Sequence, residues 1–165
     1  IGTDRVARAE PDGYTLVLGM THTHVINGAL HRPAYDVAKD FEPITVLAYV
    51  PNVVVIHPKH DFKSLTELIA YAKVNPNKLN FGSAGNGTSH HLVGELFKIQ
   101  TGTDMVHVPY KGAGPMMQDL LGGNMDMAFD GMGTSANQIK AGKLRPLAVS
   151  SFLASLPRTS SAAWR

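Results

Sequence analysis

Cysteine is absent from the 165 residues. Without a thiol there is no cysteine nucleophile, no disulfide and no thiolate metal site, and the chain suits a reducing or an oxidising compartment equally. A dominant sign of charge is lacking too. Fifteen Lys and Arg stand against 13 Asp and Glu, a net charge of +2, which is too weak a field to argue for nucleic acid or a membrane surface. Nor is there a long hydrophobic run: Gly, Pro, His or a charged residue interrupts every apolar stretch before the roughly 18 residues that a bilayer span needs. A soluble chain is expected. Around Ile1 there is no charged start, apolar middle and small-residue cleavage site of a signal peptide. No repeat of fixed period occurs, and compositional bias is confined to the Ser/Ala-rich segment 150–165.

What is present is an alternation of short strands and helices. Pro11-Asp12-Gly13 launches a β-rich run, Thr15 to Leu18, and a helical stretch follows through Val25 to Leu30. Phe41 to Val50 and Val53 to Ile56 read as strands broken by Pro51-Asn52. Leu65, Leu68, Ile69 and Ala72 fall at helical spacing behind a capping box of Ser64 and Glu67, and Asn75-Pro76-Asn77 ends that helix. Leu79 to Gly82 reads as a strand. Thr88 or Ser89 then caps a helix with Leu92, Val93, Leu96 and Phe97 on one face, ending near Gly102. Val106 and Val108 mark a strand, and a helix with Pro115 in its first turn ends at Gly122-Gly123. Met125, Met127 and Phe129 alternate with Asp126 and Ala128, predicting a strand with one buried face. A helix over Ser135 to Lys140 and a strand over Leu144 to Val149 complete the series. The pattern predicts an α/β fold with a mostly parallel sheet.

In such sheets ligands bind beyond the carboxyl ends of the strands. Four loops qualify: Gly19 to His24, Ser83 to Ser89, Pro109 to Gly114, and Asp130 to Thr134. The most informative runs Ser83-Ala84-Gly85-Asn86-Gly87-Thr88-Ser89 into a helix start. Its backbone N–H groups and the helix dipole suit a carboxylate or phosphate, although a plain tight turn with an N-cap fits the same residues. The loop lacks the Gly-Lys-Ser/Thr ending of a triphosphate site. Histidine pairs at 22/24, 57/60 and 90/91 lack the i, i+4 spacing and intervening acid of a zinc helix, so neither a metal nor another cofactor is expected. His22 and His90 lie in or beside candidate loops, where they could bond an anion or simply face solvent. Ser83 with a histidine and Asp130 supplies the residue types of an acyl-transfer triad, but the Gly-x-Ser-x-Gly elbow is absent. Asp130 reads either as a helix N-cap or as a ligand contact accepting from an amine or hydroxyl.

Several of these segments, in order, resemble the substrate-binding proteins of tripartite tricarboxylate transporters, the Bug or TctC family of periplasmic receptors. The resemblance runs through Pro11 to Leu16, Lys39 to Ile44, Leu79 to Ser89, His107 to Gly112, Asp119 to Gly123 and Ile139 to Arg145, covering about Ile1 to Ser151. It implies a type II periplasmic binding protein, with two α/β lobes joined by crossing hinge strands and no enzymatic activity. Residues 1–54 would be part of lobe 1, 55–142 lobe 2, and 143–151 a return strand toward lobe 1. Ser83 to Ser89 would clamp a small organic carboxylate, opposite Thr21 and His22, with Asp130 in the cleft and membrane subunits as partners. The resemblance also implies an opening strand and Pro/Gly-rich loop ahead of Ile1, so that this chain would be a fragment. Residues 152–165 depart from the family, which predicts a disordered tail. Alternative readings are a hydrolase or transferase using Ser83 with a histidine, and a truncated remnant that binds nothing.

Overall fold

The computed structural model describes residues 2–150. Its contacts divide the chain into two units, Ile1–Ala48 and Tyr49–Arg165, each described by itself.

The first unit contains α1 (Gly2–Ala7) and a π-helical turn, His22–Ile26, running into α2 (Asn27–Leu30). The turn and α2 lie where a helical stretch is expected; α1 has no signal in the sequence. Thr23 starts the turn by donating its hydroxyl to Met20 O at 3.0 Å while accepting from Met20 N at 3.1 Å. Tyr35 ties the stretch down, donating to Thr23 O at 2.9 Å, and the rings of His24 and Tyr35 meet Phe41 edge-on. The strands expected at Thr15–Leu18 and Phe41–Val50 do not form. Their β-rich composition is real, but a strand needs a neighbour to take its N–H and C=O groups, and none of the described residues pairs with these segments. Tyr14 is consequently 91% exposed, and Leu16, Leu18, Ile44, Val46 and Leu47 are exposed with it. Among residues 2–48 none is buried.

The second unit is built the opposite way. Its sheet comprises β1 (Asn52–Ile56), β2 (Asn80–Ser83), β3 (Val106–Pro109), β4 (Met127–Gly131) and β5 (Arg145–Val149), in the order β3-β2-β4-β1-β5. β2 is parallel to β3 and β4, while β1 is antiparallel to β4 and β5. Four strands thus run one way and β1 runs against them, which meets the expectation of a mostly parallel sheet. At the edge, Pro146 has no N–H to give, and the β1/β5 register slips there between Val54 and Val55.

Helices α3 (Leu65–Val74), α4 (Ser89–Thr101), α5 (Ala113–Leu121) and α6 (Met132–Lys140) cover the sheet. One apolar cluster joins Val54, Ile56, Phe81, Met127 and Phe129 to Leu68 of α3 and Phe97 of α4. The other joins Val53, Val55 and Ala128 to Met116 and Leu120 of α5. Alternate residues of one strand therefore enter different clusters, and each fully buried side chain contributes about 1.5–3 kcal/mol. This corrects the single buried face predicted for the Met-rich strand: all of Met127 to Asp130 is buried, because helices lie on both sides.

The α3 cap forms as its sequence indicates. Ser64 accepts from Glu67 N at 3.2 Å, and Glu67 reaches back one residue further than expected, to Lys63 N at 2.9 Å. On α4 the predicted face is rotated. Phe97 is buried and Val93 packs against the core, but Leu92 and Leu96 are exposed, and Gly94 takes the position against the sheet. A Cβ on Gly94 would lie 2.2 Å from the Phe81 ring. The expected boundary at residue 54 falls inside β1, all of which belongs to the second unit. The tail reading at 152–165 lies outside the described residues.

Candidate functional site

β2 ends at Ser83 and α4 begins at Ser89, so the loop between them joins a strand's carboxyl end to a helix N-terminus. Gly85 and Gly87 take φ values of +132° and +76°, which L side chains rarely adopt, and these set the loop's path. Thr88 caps α4, its hydroxyl accepting from His91 N at 3.5 Å and donating to Gly85 O at 2.7 Å. From the other side the segment that follows β3 braces the loop: Tyr110 N donates to Ser83 O at 3.0 Å and Gly112 N to Ala84 O at 3.1 Å. Tyr110 is itself pinned, donating its hydroxyl to Asp119 at 2.8 Å, and burial with that bond pushes its pKa up to about 12.

Ser83 is fully buried. Its Oγ lies 2.7 Å from His107 Nε2, 3.2 Å from Gly85 N and 3.2 Å from Gly85 O. Gly85 O also accepts from the Thr88 hydroxyl and Thr88 N, and the Ser83 hydroxyl accepts from Gly85 N while sharing its shortest bond with the His107 ring. Burial, followed by repulsion from His91, holds the His107 pKa below its ordinary value. The His107 ring stacks on Phe81 and on His91, with centroids 4.9 and 4.2 Å apart. The short bond between this imidazole and the buried serine braces the loop.

His90 and His91, the first residues after Ser89 in α4, fold back over the loop. His90 Nδ1 accepts from Ala84 N at 3.4 Å and His91 Nδ1 from Gly87 N at 3.1 Å. The other ring nitrogen of His90, Nε2, lies 3.8 Å from Asp130 Oδ1. Asp130 is fully buried at the end of β4. Its Oδ2 accepts from the hydroxyls of Thr134 and Ser135, while Oδ1 is buried with no hydrogen-bond partner. Asp130 is not the N-cap of α6; Gly131 holds that position.

The second unit thus brings Ser83 to Ser89 and Asp130 together through His90. Thr21 and His22 belong to the first unit, where both are exposed at the start of the π-helical turn. The bracing roles of His91 and His107 are not evident from the sequence. For His107 the signal is register, since Phe81 pairs with His107 and Ser83 with Pro109 in adjacent parallel strands.

Residues 1–161 match the model of the tripartite tricarboxylate transporter family receptor. The chain belongs to that family. It is 38% identical to protein BugT of Bordetella pertussis over 151 residues, which are 90% of this chain and 46% of the relative. Among solved structures, R. palustris Rpa4515 with adipate matches at 35% identity with a TM-score of 0.83, over 98% of this chain and 59% of that one. MatC (Rpa3494) from Rhodopseudomonas palustris with bound malate matches at 29% identity and a TM-score of 0.78, over 92% of this chain and 52% of that one. The chain spans about half the length of the relatives it matches. Its α/β architecture is that of a periplasmic binding protein, and its family is one of receptors. Among the described residues no helix is long and apolar enough to cross a membrane.

Proposed function

We propose that this chain is the ligand-binding part of a non-catalytic periplasmic receptor, which captures a small organic carboxylate for the membrane subunits of a tripartite tricarboxylate transporter. The observation that carries the reading is the loop Ser83 to Ser89. It sets the N-terminus of α4 beside the polar residues Asn86, Thr88 and Ser89, without Lys or Arg, in a chain whose structural neighbours hold adipate and malate. A carboxylate needs its oxygens met by donors once water is excluded, and helix N-termini supply them. In this reading Ser83, Ala84, Gly85, Asn86, Gly87, Thr88 and Ser89 contact the ligand with Asp130, and Thr21 and His22 are further ligand residues. Residues 1–54 and 55–142 are then parts of two lobes, with 143–151 as the return strand. The full burial of Ser83 weighs against the hydrolase alternative.

Calorimetry with a panel of dicarboxylates, aromatic acids and acidic amino acids tests this. Saturable heat without turnover is the expected result. Silence across the panel overturns the reading in favour of a non-binding chain, and turnover of an ester that Ser83→Ala abolishes overturns it in favour of an enzyme.

A further inference from the structure

Asparagine is thermolabile, and most so before glycine, where no side chain keeps the following backbone nitrogen away from the carboxamide carbon. The chain has two such steps, Asn27-Gly28 and Asn86-Gly87, and the fold treats them differently. Asn27 opens α2, and its amide is tethered, donating to the Tyr35 hydroxyl at 3.1 Å. Asn86 is exposed and lies with Gly87 in the turn ahead of α4, outside any helix or strand. Gly87 N donates to His91 Nδ1 at 3.1 Å. A backbone N–H can only donate, so Nδ1 offers its lone pair and the proton of the ring is on Nε2. Stacking on His107, with centroids 4.2 Å apart, holds that ring in place. An imidazole nitrogen at this distance from the N–H whose proton must leave meets the geometric requirement for a general base.

We propose that Asn86 is a site of self-catalysed deamidation, with His91 as the base, and that the product carries its own carboxylate in the loop read as the seat of the ligand's. Gly87 N passes its proton to His91 Nδ1 and attacks Asn86 Cγ with the electron pair left behind. The N–Cγ bond forms, the Cγ–Nδ2 bond breaks, and Nδ2 leaves as ammonia with the proton returned by His91. A five-membered imide remains. Asn86 faces solvent, and water opens the imide at either carbonyl, giving hydroxide to the carbon and a proton to the Gly87 nitrogen. Opening at Cγ leaves an ordinary aspartyl residue. Opening at the main-chain carbonyl leaves an isoaspartyl link, in which the backbone runs through Cγ and is one carbon longer between Gly85 and Gly87. Both products replace a neutral amide by a negative charge. The consequence for binding rests on the carboxylate-receptor reading, since an anion in the loop repels a second one; the reaction itself does not.

Ageing the chain at neutral pH and following its peptides by mass spectrometry, which separates amide, aspartyl and isoaspartyl forms, tests the reaction. Asn86 is expected to convert at least about tenfold faster in the folded chain than in the same chain unfolded in guanidinium, because a positioned base supplies at least that factor. Asn27 in the folded chain is expected to lag behind Asn86. His91→Phe keeps a ring to stack on His107 and is expected to slow Asn86 to its unfolded rate, with circular dichroism unchanged. Conversion no faster folded than unfolded, or undiminished in His91→Phe, overturns the proposal. Malate and adipate then serve as calorimetric probes of aged chain separated by charge, and the modified fraction is expected to bind at least about tenfold more weakly than the unmodified one. Equal affinities overturn the loss of binding. Absence of heat from unaged chain with both probes and across the wider panel overturns the receptor reading, while mass spectrometry still decides the reaction at Asn86.

Discussion

Ser83 Oγ sits between Gly85 and His107, so its removal leaves the Gly85 amide without its acceptor and the His107 Nε2 without its partner. Ser83→Ala is expected to cost about 1–3 kcal/mol in urea unfolding, with no esterase activity in the parent chain to lose. Gly87 tests the loop more directly. At φ +76° a side chain is strained whatever space surrounds it. Gly87→Leu is expected to weaken carboxylate affinity at least about tenfold, or 1.4 kcal/mol, with far-UV circular dichroism unchanged. Unaltered calorimetric affinity would remove the loop from the site. The sequence signals this loop through its glycines, its cap and the helix behind it, all local features. It does not signal His91 and His107 as braces, because their contacts come from strand register and from the fold of α4 over the sheet.

At the scale of elements, local rules succeed where the element completes its own requirements. The α3 cap, the Pro115 helix start and the α4 cap are each built from residues a few positions apart. They fail where a partner decides the outcome. Thr15–Leu18 and Phe41–Val50 have strand composition but no described strand beside them, and they stay irregular. On α4 the conflict is one of size. Apolar spacing selects Leu92 and Leu96, whereas the sheet admits the helix only where Gly94 lets Phe81 come close. Gly94→Ala, which helix propensity alone would favour, is therefore expected to destabilise the chain by about 1–3 kcal/mol as α4 is forced off the sheet. A rise in the urea midpoint would refute this.

For the molecule as a whole, pH dependence follows from two groups. Burial raises the pKa of Asp126, but hydrogen bonds from Lys59, His60 and Asn80 N outweigh it and the net shift is downward. A carboxylate held below its unfolded value, about 3.9, stabilises fully above that value and loses its contribution as pH falls through the folded one. His107 is lowered from an unfolded value of about 6.5. The unfolded chain then takes up a proton that the fold refuses, so stability declines from about pH 6.5 downward. Urea midpoints are expected to hold near neutrality, decline gently below about pH 6.5 and fall steeply below about 4. His107→Gln should remove the first decline and Asp126→Asn should flatten the second.

The placement of β1 has a consequence for synthesis on the ribosome. Asn52–Ile56 is the first strand of its sheet to be made, yet its two neighbours, Met127–Gly131 and Arg145–Val149, are the last. Asn52 and Ser150, 98 residues apart, bond to each other directly. A nascent chain must therefore carry Val53 to Ile56 unpaired until nearly all of the second unit has emerged, since contacts this distant in sequence form only after the intervening chain is closed into a loop. Those four apolar residues are where a chaperone that holds extended hydrophobic segments would find this protein during translation.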